Sequence, residues 1–127
     1  MISAMSVAQV EGPGAAAELA AEAVRAVNHL TLAPPARTSP GWEDVGDLYR
    51  VLGEVRVVID RLPQALGQLA RHLDHSADGY GADAGTDEEP AAVVAAAVLE
   101  LEDAQVVLRQ AGGHLNAAQS AVAHLYS

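Results

Sequence analysis

Residues 45–73 read VGDLYRVLGEVRVVIDRLPQALGQLARHL. Apolar side chains fall at Val45, Leu48, Leu52, Val55, Ile59, Leu62, Leu66, Leu69 and Leu73. The steps alternate between three and four residues without a break, which is a heptad seam and places all nine on one helical face. Pro63 lies inside that seam. A mid-helix proline removes a backbone donor and kinks the rod, but the seam keeps its frame across Pro63, so one kinked helix over about 41–75 is expected rather than two. Ser39-Pro40 reads as its start, with Ser at the N-cap and Pro at the first helical position, and Glu43, Asp44 and Asp47 suit the positive end of the helix dipole. Gly46, Gly53 and Gly67 share one heptad position, where they weaken the helix but admit another backbone closely.

A second rod follows. Thr86-Asp87-Glu88-Glu89 has the form of a capping box, and a helix is expected over about 87–125. Its seam carries Val94, Leu101, Leu108, Leu115 and Val122 at one position and Ala97, Ala104, Ala111, Ala118 and Leu125 at the other. The acidic, Gly-rich segment 76–86, SADGYGADAGT, is the turn between the rods. Folded antiparallel about it, residues whose numbers add to 170 face one another, as in Leu66–Ala104, Leu62–Leu108 and Leu69–Leu101. Most alanines then meet a bulky aliphatic, the large-against-small filling that a dense core requires. One flank stays apolar, with Val51, Val58 and Ala65 on one helix and Val107 and Ala121 on the other. A shorter helix at about 15–30, striped with Ala16, Ala20, Ala23, Val27 and Leu30, is the expected cover. The prolines at 34, 35 and 40 separate it from the hairpin. The expected fold is all-α, a three-helix bundle on a long antiparallel coiled-coil-like hairpin. Residues 1–14 form a flexible arm and 15–127 a single domain.

Composition agrees with helices and removes several functions. Of 127 residues about a fifth are alanine; Phe, Cys and Lys are absent, and seven arginines stand against seventeen acids, for a net charge of −10. Without cysteine there is no disulfide framework, thiol nucleophile or thiolate metal site. Scattered arginines on an acidic chain are the wrong footprint for a phosphate backbone, so no nucleic-acid partner is expected. The N-terminal MISAMSVAQVEGPG lacks the charged and apolar regions of a secretory signal, and no run is apolar and long enough to span a bilayer. A soluble, cytoplasmic protein without membrane insertion is expected.

Chemistry-bearing groups are sparse. His72 and His75 sit three residues apart at the end of the long helix, and the register sets Glu100 beside His72. That trio is the candidate metal set, although a further convincing ligand is missing and an ion pair is the plainer reading. The acids at 78, 83, 87, 88 and 89 do not follow a calcium-loop pattern, because Tyr80 and Ala82 occupy ligand positions. No nucleophile elbow, phosphate loop or zinc-protease motif occurs, so neither enzyme activity nor a cofactor is expected. Two recognition surfaces stand out instead. Trp42, Tyr126 and His124, with His29, converge on the end of the bundle away from the turn, and Trp is either a contact hot spot or a core plug there. Leu99 and Val106 form an outward strip with Ala92 and Ala95.

The run GWEDVGDLYRVLGEVRVVIDRLPQALGQLARHL, followed by an Ala-rich helix ending AQSAVAHL, resembles small uncharacterised helical proteins of actinobacteria over about Trp42–Leu125. The resemblance implies a helical fold and carries no activity and no functional residues. In size and alanine content the chain also resembles the WXG100 secretion hairpins, which would imply export. Their Trp-x-Gly turn should join the long helices, whereas Trp42 precedes the first of them. The expected function is therefore a non-enzymatic protein–protein interaction or oligomerisation module. The alternatives are an exported hairpin of that kind and a small His/carboxylate metal binder.

Overall fold

The computed structural model describes residues 9–126. Its elements are α1 (Pro13–Leu30), α2 (Val45–His75), a single 3-10 turn (Ala77–Gly79) and α3 (Pro90–Val122), with no strand among the described residues. The all-α architecture, a long hairpin with a shorter N-terminal helix, is the expected one. The chain divides into two compact units, Met1–Asp44 and Val45–Ser127.

In the first unit α1 begins at Pro13, two residues before the expected Ala15, because Pro13 is preset for a first helical turn and Gly12 at φ 85 supplies the entry. Most of the expected arm, residues 1–8, lies outside the described residues. The helix ends where Thr31 turns back, its backbone N–H and its Oγ1 both donating to the Val27 carbonyl, the latter at 2.8 Å. The proline-rich stretch then folds on itself. Trp42 Nε1 donates to the Ala33 carbonyl at 2.8 Å, and the Ala36 N–H donates to the Trp42 carbonyl at 3.0 Å.

Here one expectation is corrected. Ser39-Pro40 does not start α2. The Trp42 N–H donates to the Ser39 carbonyl at 2.9 Å, and Gly41 follows Pro40 with φ 77. Proline at the second position and a left-handed glycine at the third are the requirements of a type II turn, which takes these residues out of reach of the helix. The helix begins at Val45 rather than about 41.

The second unit is the hairpin. α2 runs unbroken for 31 residues through Pro63, one helix as expected. α3 starts at Pro90, not at Asp87. Thr86 Oγ1 accepts from the Glu88 N–H at 3.1 Å, a local turn instead of a capping box, and Glu89 is extended at φ −63, ψ 145. The residue before a proline avoids helical backbone, so Pro90 sets the boundary itself. At the other end the helix stops at Val122 rather than 125, where the N–H groups of His124 and Leu125 reach back only three residues, a tightened last turn.

Candidate functional site

α2 and α3 pack side by side along their length, largely on the expected seam: Val45, Leu48, Leu52, Val55, Ile59, Leu66 and Leu73 on α2 and Leu101, Leu108, Leu115 and Val122 on α3 are half-buried. The residues that are buried are Pro63 and Ala70 on α2 and Val94 and Gly112 on α3. Leu62 and Leu69, expected at the centre, are 38% and 54% exposed. The layers Leu62–Leu108 and Leu69–Leu101 are thus corrected locally: at these two positions the adjacent Pro63 and Ala70 are buried instead, while Ile59, Leu66 and Leu73 stay on the expected face. Small residues are the reason. Gly53 lies under Gln119, Gly67 under Gln105, and Gly112 under the carboxylate of Asp60. Where a bare backbone receives a partner side chain, helix axes can approach closely, whereas leucine against leucine would hold them apart. These flank partners have numbers that add to 172, as side chains one residue to the same side of layers adding to 170 do, and Leu73 with Ala97 and Val45 with Leu125 line shared pockets at the two ends.

The flank that carries these glycines is polar. The Arg56 guanidinium donates through Nη1 to Asn116 Oδ1 at 2.6 Å. Its Nε is buried without a hydrogen bond; Asp60 Oδ2 lies 3.8 Å from it, close enough for charge attraction but too far for a hydrogen bond. An open groove of about 770 Å³ runs along this side, lined among others by Arg56, Arg71, Arg109, Gly67, Gly112 and Gly113. Sequence reasoning missed these pairs. The signal was present in the fourteen-residue spacing of Gly53 and Gly67, two heptads, and in the seven-residue spacing of Gln105, Gly112 and Gln119.

The opposite flank is aliphatic and open. On α2 it carries Val51, Val58, Leu62, Ala65 and Leu69, a stripe at steps of seven, four, three and four residues. Val58 is 41% exposed, and Val107 on α3 is 61% exposed. On α3 the exposed residues of this flank are Glu100, Val107 and His114, while Ala97, Ala104 and Ala111 are half-buried against α2.

The other candidates are dispersed. Trp42, half-buried, closes the loop of the first unit, and His29 is exposed in the last turn of α1. His124 and Tyr126 follow α3 in the second unit, with Tyr126 almost fully exposed. Leu99 and Val106 are exposed on the side of α3 turned away from α2, with Glu102 and Asp103 bracketing Leu99. His72, His75 and Glu100 are exposed, and among the described residues no three His, Cys, Asp or Glu groups come together as a metal site. No described helix is long and apolar enough to cross a membrane. Comparison with family models, with curated proteins and with solved structures gives no match.

Proposed function

We propose that the chain is a non-catalytic helical interaction module of the cytoplasm, and that it docks a protein surface along the aliphatic flank of the α2–α3 hairpin. One observation carries this reading: Val58, Leu62, Leu69 and Val107 are open on one flank, while the buried hydrophobic residues of the described chain are Ala70 and Val94. A continuous aliphatic stripe of that length, facing water, is a feature of association surfaces more than of monomer exteriors. The apolar strip at Leu99 and Val106 is a lesser candidate because acids flank it. A photo-crosslinking residue placed at Leu62 or Leu69, in the cell that makes the protein, is expected to capture a protein at high yield. The same residue at Gln68, on the polar side of α2, should capture little. Equal yields at 62, 69 and 68 would remove the proposal.

A further inference from the structure

We infer that the arginine-lined groove on the glycine flank is a second docking site, and that its occupant is an acidic helix of a partner protein with carboxylates about seven residues apart. The site is separate from the aliphatic flank: Leu62, Gln68 and Leu69 do not line it.

Charge comes first. Three of the seven arginines line the groove, Arg56, Arg71 and Arg109, against one of the seventeen acids, Asp60. On a chain of net charge −10 this is a local reversal of sign. Asp60 stands 3.8 Å from the Arg56 guanidinium, which also donates to Asn116. Arg71 and Arg109 are exposed, and neither has an ion pair among the described residues. Their charge is open to an incoming anion, and a groove focuses such a field.

Spacing then selects the anion. Partners on this flank add to 172, so Arg109 stands level with Pro63. That level is about 10 Å along the helix from Arg56 and about 12 Å from Arg71. The three cations form a ladder roughly 22 Å long. A lone carboxylate or phosphate meets one rung. A nucleic-acid strand carries a phosphate every ~3.4 Å, far denser than the rungs, and the acidic remainder of the chain repels it. An extended peptide reaches a pitch of ~10 Å with an acid at every third residue, but successive acids then point to opposite faces. Acids seven residues apart on an α-helix share one face at a pitch of about 10.5 Å, and they fit the ladder. A helix also satisfies its own backbone, and the groove between two packed helices is where a bundle seats a third. At Gly113 nothing occupies the space of a Cβ, so the incoming helix can lie low there.

The probe is a labelled Ala/Gln helical peptide of about 20 residues carrying three Glu at seven-residue spacing. Fluorescence anisotropy with the full chain at low salt should show saturable binding. It should be about 5-fold or more tighter than that of a peptide with the same three Glu spread round the helix. Arg71→Gln and Arg109→Gln, at exposed positions where helical circular dichroism should persist, should each weaken binding about 3- to 5-fold. Arg61→Gln, outside the groove, should not weaken it. Arg109→Glu should be rescued by Lys in place of the central Glu of the peptide, and not by Lys in place of an end Glu. Equal binding of the two peptides, equal loss on Arg61→Gln, or no saturable binding at about 500 μM chain would overturn the inference. So would an oligothymidylate strand that displaces the peptide at matched charge.

Discussion

Gly113 sits within α3 with open space where a Cβ would go, and its neighbour Gly112 has Asp60 Oδ1 there instead, 2.6 Å from the ideal Cβ position. The pair separates two effects of glycine in a helix. Both lose more chain entropy on folding than alanine would, by about 1 kcal/mol. Gly113→Ala therefore should stabilise the hairpin by about 0.5–1 kcal/mol, seen as a higher thermal midpoint. Gly112→Ala should gain less, because the new methyl displaces the Asp60 carboxylate from its seat on the backbone. Equal midpoints for the two variants would mean that Asp60 does not rest there. Trp42 has a different lesson. From the sequence it stood as hot spot or plug; in the structure its indole N–H is used by the Ala33 carbonyl, which ties the proline loop to itself.

The helices were legible because their signals are long. A seam sustained from Val45 to Leu73 outweighs one proline, and α2 does continue through Pro63. Helix ends were less legible, since they depend on single residues whose local options compete. Pro40-Gly41 is equally a helix start and a turn until the φ of Gly41 decides it, and Pro90 overrides the hydroxyl of Thr86. The facing of α2 was legible except at two layers. The seam put Leu62 and Leu69 inside, but small residues let the backbones approach beside them, so Pro63 and Ala70 are buried instead, while Ile59, Leu66 and Leu73 keep the expected face. Neighbouring residues on α2 should then respond oppositely to their size. Ala70→Leu overfills a 5% exposed site and should cost about 1–3 kcal/mol in denaturant unfolding of the hairpin. Leu69→Ala should cost less than about 1 kcal/mol, since Leu69 is half exposed. Were Leu69→Ala the costlier change, Leu69 and not Ala70 would lie in the contact.

For the molecule as a whole, the composition excluded more than it identified. A charge of −10, no cysteine and no catalytic motif removed nucleic-acid, thiol and motif-bearing enzyme readings. The proposed docking surface rests on Leu62 and Leu69 lying outside the contact between α2 and α3. Because the natural chain lacks cysteine, that placement can be tested by installing pairs of them. Gly67→Cys with Gln105→Cys bridges the glycine flank, and Leu69→Cys with Leu101→Cys bridges the layer expected from the heptads. A disulfide requires Cβ atoms about 4 Å apart, so formation under mild oxidation reports the true neighbours. The structure predicts faster intramolecular closure of the 67–105 pair than of the 69–101 pair. Rapid closure at 69–101 with none at 67–105 would contradict it and would turn the aliphatic row back into core.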